Sequence, residues 1–193
     1  MADREGCAVD VAIHEPSKGG DNRNHHAHIM RTTRQVGAEG LGAKLDTEKA
    51  GRNRAADLEA VRAAVGPDFP IIFRFSQWKQ QDYTARLVKT PEELGAFLKP
   101  LSDAGVDIFH CSTRRFWEPE FEGSDLNLAG WTRKLTGKPT ITVGSVGLDG
   151  EFLQFMVKTD KVAQPANIEG LLERLNKAEF DLVAVGRALI CDP

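Results

Sequence analysis

Three groups of residues in this 193-residue chain have the types and spacing to do chemistry. Near the amino end, His26-Ala27-His28 follows VDVAIH, a segment that closes on His14. Side chains of a strand alternate with a period of two, so His26 and His28 share a face and His25 points away. His14, from a neighbouring strand, supplies a third imidazole nitrogen. Three histidines suit a divalent metal ion that polarises a phosphodiester; the plainer reading is a polar loop with chance metal affinity. A second group consists of glycines at the ends of apolar runs: Gly144-Ser145-Val146-Gly147 and Gly186-Arg187. Close-approaching backbone N–H groups beside a cation can cradle a phosphate. The same glycines also suit tight turns after strands, and the residues alone leave both readings open. The third is Arg74, between Phe73 and Phe75 in IIFRFSQW. An unpaired buried charge is expensive, so an arginine in a buried strand needs either an acidic partner or an electron-rich ligand atom. His110 ends the next apolar run, where a lone histidine is more often structural than catalytic.

These groups must be positioned by regular elements, and the second part of the chain supplies them. Leu58, Val61 and Val65 lie on one helical face, Gly66-Pro67 ends that helix, and PIIFRFS reads as a short buried strand. Thr90-Pro91-Glu92-Glu93 has the form of a capping box, with Leu94, Phe97, Leu98 and Leu101 as the apolar stripe behind it. VDIFH (106–110), PTITVGSVG (139–147) and FDLVAVGRA (180–188) read as further strands, and Ile168, Leu171, Leu172 and Leu175 as a helix. Residues 111–138 read as a long loop, and Phe116, Trp117 and Phe121 either line a pocket there or, the commoner role, pack under it. Strand starts near 70, 106, 139 and 180 are separated by 36, 33 and 41 residues, the length of strand-plus-helix units with right-handed crossovers. An open doubly wound sheet and part of a (β/α)8 barrel both fit; four units are half a barrel by count.

Composition sets outer bounds. The chain is 41% hydrophobic and 27% charged, with a net charge of -3, which makes no case for nucleic acid as a partner of the whole chain. No run is apolar enough to span a membrane, the first residues do not resemble a secretory signal, and three scattered cysteines suit a reducing compartment, so a cytoplasmic location is expected. Residues 1–54 hold four of the five histidines, and nine Lys/Arg against eight Asp/Glu give them a charge of +1. The stretch from Gly37 to Asn53 carries four glycines and suits a linker or loose loop. A boundary near residue 50 therefore separates a small appended segment, 1–50, from the regular part, 51–193.

Four segments of the regular part, FRFSQWK (73–79), AGVDIFHCSTRRFWEPEFEGSDLNLAGW (104–131), GKPTITVGSVGL (137–148) and FDLVAVGRALICDP (180–193), resemble the Old Yellow Enzyme family of NADH:flavin oxidoreductases. The resemblance covers about 54–193. It implies an FMN-binding (β/α)8 barrel that takes hydride from NAD(P)H and reduces an activated alkene or another small acceptor. Arg74 then matches the arginine facing the flavin pyrimidine edge. Gly144, Ser145, Val146 and Gly147 match the strand-seven turn that holds the FMN phosphate, Gly186 and Arg187 close that site from strand eight, and Phe109 to Ser112 lie near the flavin. Nothing in the chain resembles the family's first four strands, which carry the substrate-oxygen pair and the tyrosine proton donor. Tyr83 does not match that tyrosine, so no catalytic residue is assigned. The resemblance therefore implies the C-terminal half of a barrel in a truncated or recombined chain with impaired turnover. Its inner face would expose Ile71, Phe73 or their neighbours, and two halves would self-associate.

VDVAIHEPSKGGDNRNHHAHIMRTTR (9–34) resembles the metal-binding motif of MobA/MobL relaxases of plasmid mobilisation. It implies His14, His26 and His28 as ligands of a divalent ion. The alternative function is thus a relaxase-derived protein that binds metal or nucleic acid. DNA nicking is not expected, because no tyrosine nucleophile precedes the motif, and a charge of +1 argues against independent DNA binding.

Overall fold

A computed structural model describes the backbone of residues 9–14, 26–31, 34–37, 40–44, 47–79, 84–149, 164–186 and 188–191, with side chains described from Arg54 onward except at 190 and 191. The chain divides into two compact units, Met1–Asp57 and Leu58–Pro193.

In the first unit, β1 (Val9–His14) pairs antiparallel with β2 (His26–Arg31), and β3 (Arg34–Gly37) pairs antiparallel with β4 (Gly40–Lys44). The expected linker, Gly37–Asn53, instead holds β4 and the first turns of helix α1 (Thr47–Val65). Pairing with β3 offsets the weak strand preference of Gly40 and Gly42.

The second unit is built on a four-stranded, all-parallel sheet in the order β5 (Ile72–Ser76), β6 (Ile108–Ser112), β7 (Thr140–Val143), β8 (Leu182–Val183). The strands alternate with α2 (Pro91–Asp103), α3 (Leu128–Thr136), α4 (Glu169–Asn176) and α5 (Ala188–Cys191). Spatial order that follows chain order, with no reversal, is the winding of a barrel; a doubly wound sheet reverses at a switch point. The unit is a partial (β/α)4 barrel-like core, as in a truncated (β/α)8 barrel.

Local chemistry sets the elements. Thr90 caps α2, its Oγ1 accepting from the Glu93 N–H at 3.2 Å, while Glu93 Oε2 accepts from the Lys89 N–H at 2.6 Å. Residues 111–138 are not all loop, as the sequence suggests. Asn127 caps α3, accepting from the Gly130 N–H at 2.9 Å, and Gly137 closes the helix in the left-handed conformation. That helix has nine residues, one a glycine, and buries Thr132 among its contacts, so its apolar stripe is too short to announce itself. The fourth strand is also shorter than expected: pairing is confined to Leu182 and Val183, extended by one bond from the Ala184 N–H to Thr142 O at 2.9 Å.

A single device recurs at the N-terminal ends of the strands. Asp107 accepts from the Ile71 N–H at 2.7 Å and pairs with Arg62 of α1. Asp181 accepts from the Thr140 N–H at 2.9 Å and pairs with Arg133 of α3 at 3.2 Å. In each case an aspartate before one strand holds the start of its neighbour and the preceding helix. These ties lock one end of the sheet and leave the other end for loops.

The two sheet faces differ sharply. Phe75, Phe109, Cys111, Thr140 and Thr142 are buried, and Phe73 is partly so; with Leu94, Leu98, Leu101, Leu128 and Phe180 the apolar members form the core. Phe109 meets Phe73 and Phe75 edge-on, with ring centroids 6.4 and 6.3 Å apart. The opposite face carries Ile72, Arg74 and Ser76 of β5, Ile108, His110 and Ser112 of β6, Ile141 and Val143 of β7, and Leu182 of β8. The apolar residues open to solvent are thus Ile72 (52% exposed) and Leu182 (51%), not Ile71, which is buried, nor Phe73, which faces the helices. Alternation along the strand decides this, and the sequence leaves its phase unset because Ile71, Ile72 and Phe73 are all apolar.

Candidate functional site at the strand ends

Arg74 is exposed on the open face and has no acidic partner among the described residues, contrary to a strand arginine buried in an ion pair. Its partners come from the adjacent strand. Nη1 lies 3.2 Å from His110 Nε2, and Nη2 donates to Ser112 Oγ at 3.1 Å. Parallel register creates this trio by pairing Arg74 with His110 and Ser76 with Ser112. Burial, reinforced by the Arg74 charge, pushes the His110 imidazole down to about 4. At neutral pH it is therefore uncharged and can accept from the guanidinium.

Both glycine turns lie at this same end of the sheet. Gly144 (φ +144°) and Ser145 (φ +49°) leave β7 in the left-handed half of conformational space. A side chain at Gly144 would place Cβ 2.6 Å from the Thr113 carbonyl oxygen, so glycine is demanded there by the neighbouring loop. The Ser145 hydroxyl is turned inward, donating to Arg114 O at 3.2 Å. Among the described residues, the N–H groups of Ser145, Val146 and Gly147 donate no hydrogen bond. A Cβ on Gly147 would meet Ala188 Cβ at 3.4 Å, which places the β7 turn beside the start of α5. Space around Gly186 is open. Three undonated N–H groups in a strained turn, next to a second glycine turn, fit an anionic group. Arg187 lies outside the described residues.

A cavity of about 240 Å³ adjoins this turn, lined by Phe116, Trp117, Ser145, Ala166, Asn167 and Arg174, among others. It is smaller than a typical ligand pocket of about 300–1,000 Å³. Arg174 is already engaged by Glu179 (2.8 Å), Asp125 O and Trp117 O.

Sequence reading passes over the polar cluster beside Ser112. Gln77, buried just beyond β5, donates to Val88 O (3.2 Å) and Glu120 Oε1 (2.9 Å), and its own oxygen accepts from the Val88 N–H (3.0 Å). It joins three segments of chain at the end of the strand. Burial pushes Glu120 up to about 7 against the opposing hydrogen bond from Gln77. Glu120 and Ser112 line one cleft with Arg86 and Glu118. Loop residues carry no periodicity, so no local pattern marks Glu120. Cys111, between His110 and Ser112, faces the core, where burial holds its thiol up at about 12 and unreactive.

In the first unit, β1–β2 register makes His14 and His26 direct partners and sets His28 opposite Ala12. His26 and His28 are two apart, so the backbone puts all three on one face of the hairpin. Their side chains lie outside the described residues, as does Tyr83. Among the described residues no cluster of three metal-ligating side chains occurs, and no helix is long and apolar enough to cross a membrane.

Comparison with known proteins gives two similarities that overlap along the chain. Residues 1–94 match the MobA/MobL family. A NADH oxidase of Thermoanaerobacter brockii is 33% identical over 144 residues, covering 70% of this chain. The chain spans only 19% of that relative's length. A dihydrodipicolinate synthase family protein of Coccidioides immitis aligns with 48% of this chain and 26% of its own at 15% identity, with a TM-score of 0.29, too low to bear on the fold. The chain is thus similar to a relaxase family over its first 94 residues and to an oxidoreductase over most of its length.

Proposed function

We propose that residues 51–193 form the FMN-binding half of an Old Yellow Enzyme-like barrel, a family that uses NAD(P)H to reduce a small acceptor of the activated-alkene class. The observation that carries this reading is the pair of adjoining glycine turns at the strand ends, with three undonated N–H groups in one of them. Gly144, Ser145, Val146 and Gly147 would hold the phosphate from β7, and Gly186 and Arg187 would hold it from the far side. Arg74 would face the electron-rich edge of the ring. FMN, when bound, would supply the hydride relay; this chain would bind and orient it. The similarity to a NADH oxidase supports the class. The open face and the outer strands β5 and β8 support self-association of two half-barrels, because exposed apolar faces and sheet edges favour pairing.

The test is titration of the full chain with FMN and with riboflavin, which lacks the phosphate, followed by flavin fluorescence. FMN should bind more tightly, and Arg187→Ala should weaken FMN by about 1.5–3 kcal/mol, the scale of a hydrogen bond to a charged group. Equal affinity for the two flavins, or none for either, overturns the assignment.

A second reading concerns residues 1–50, where the direct pairing of His14 with His26 favours a divalent-metal site completed by His28. Replacing His26 and His28 by alanine should abolish stoichiometric zinc or manganese uptake measured by elemental analysis. Retained uptake would place the metal elsewhere.

A further inference from the structure

We propose that His110 and Ser112 are positioning residues for Arg74: they fix its guanidinium at the strand ends through two uncharged acceptors, leaving its positive charge for an anionic or electron-rich ligand group. This deepens the flavin reading and rests on it for the identity of the ligand.

The contrast with four other arginines carries the inference. Arg62, Arg115, Arg133 and Arg174 each pair with a carboxylate, Asp107, Glu118, Asp181 and Glu179 respectively. Each of those charges is neutralised in the act of tying elements together. Arg74 is held as definitely, with contacts at 3.2 and 3.1 Å, but by an imidazole and a hydroxyl. A guanidinium can only donate, so each partner must accept. Neither acceptor carries a negative charge, so neither neutralises the guanidinium it holds. Orientation without neutralisation suits a ligand contact and wastes a structural one.

The arrangement also makes Arg74 sensitive to pH. A protonated His110 could not accept at Nε2 and would repel the guanidinium. On the open face the groups around His110 are Ile72 and Ser76 from β5, Ile108 and Ser112 from β6, Ile141 and Val143 from β7 and Leu182 from β8, so Arg74 is the one charged neighbour among the described residues. The direction of the His110 shift agrees: it stays neutral through the ordinary histidine range.

Two measurements on the full chain test the proposal, one of them independent of flavin. In the first, the imidazole resonances are followed by NMR against pH, with His110 identified by its loss in His110→Asn. His110 should titrate well below the ordinary histidine value, and Arg74→Met should raise its midpoint. A midpoint unmoved by Arg74→Met overturns the pairing. In the second, FMN and riboflavin are titrated into four proteins whose folding is checked by circular dichroism. His110→Asn, which keeps an acceptor, should bind both flavins within about threefold of wild type. His110→Leu combined with Ser112→Ala should weaken both flavins at least tenfold, and equally, because the ring and not the phosphate has lost its partner. Arg74→Met should show the same loss. Unchanged flavin binding in the double variant overturns the positioning role. If the wild type binds neither flavin, the flavin reading fails, and the NMR titration alone decides whether His110 holds Arg74.

Discussion

The two faces of the parallel sheet carry the same strands and have opposite tasks. One face sets Phe75, Phe109 and Cys111 against the helices, and every ring there has apolar neighbours. The other carries an arginine, a histidine and two serines on a face where Ile72 and Leu182 stand open to solvent. Strand alternation assigns neighbouring residues to these opposite roles: Cys111 is inert in the core while His110 and Ser112, on either side of it, hold Arg74. The lesson is that the stability of this unit and its chemistry are separable by parity along a strand. A further division runs along the strands. Their N-terminal ends are tied by Asp107 and Asp181, while their C-terminal ends hold the glycine turns and the Arg74 trio. That is the polarity barrel enzymes use, with stability at one rim and chemistry at the other.

Breaking the covered face should have the largest effect. Phe109→Ala removes a fully buried ring that meets Phe73 and Phe75, and should cost about 3–5 kcal/mol in urea unfolding. A loss below about 1 kcal/mol would mean that the helices do not rest on this face as described.

Glu120 should sharpen the comparison at the strand ends. Its native pKa, about 7, lies above the ordinary carboxylate value, so the native chain binds this proton more tightly than the unfolded chain does. Its contribution is therefore fully present below the unfolded pKa and is lost as pH rises through about 7. Glu120→Gln should keep the neutral hydrogen bond to Gln77 and escape that loss. The variant should gain on wild type between pH 4.5 and 7, by no more than about 3 kcal/mol. A stability difference independent of pH in this window would show that Glu120 is solvated. His110 works in the opposite sense. Its depressed pKa contributes stability that is present above the ordinary histidine value and lost as pH falls toward about 4. The wild-type profile from pH 4 to 7 should accordingly be flatter than that of either single variant.

The open face should show the smallest effect on stability. Ile72→Thr with Leu182→Thr alters two side chains that are half exposed, so unfolding free energy should stay within about 0.5 kcal/mol for each change. The same pair should shift any self-associated species toward monomer in sedimentation velocity. A large stability loss with no change in association would show that this face is covered within one chain, and the contrast between the faces would fall.

Much of this was determined by the sequence alone, wherever the signal is local. The alternation of apolar runs with helical stripes sets out four strand-plus-helix units. Thr90-Pro91-Glu92-Glu93 marks a helix start that the hydrogen bonds bear out. The glycines after the third apolar run mark a sharp turn at the strand end. Helix α3 escapes notice because nine residues with an internal glycine carry too little periodicity, although Asn127 and Gly137 bracket it with readable caps. Tertiary structure decided what depends on register. In a run where Ile71, Ile72 and Phe73 are all apolar, composition cannot say which parity faces the helices, and a shift of one residue would bury Arg74 and expose Phe73 and Phe75. Nor can spacing show that Arg74 meets His110 and Ser112, 36 and 38 residues away, or that Gly144 is required by the Thr113 carbonyl. Those facts follow from which strands lie side by side, and at what offset, and the sheet sets both only when it closes against its helices.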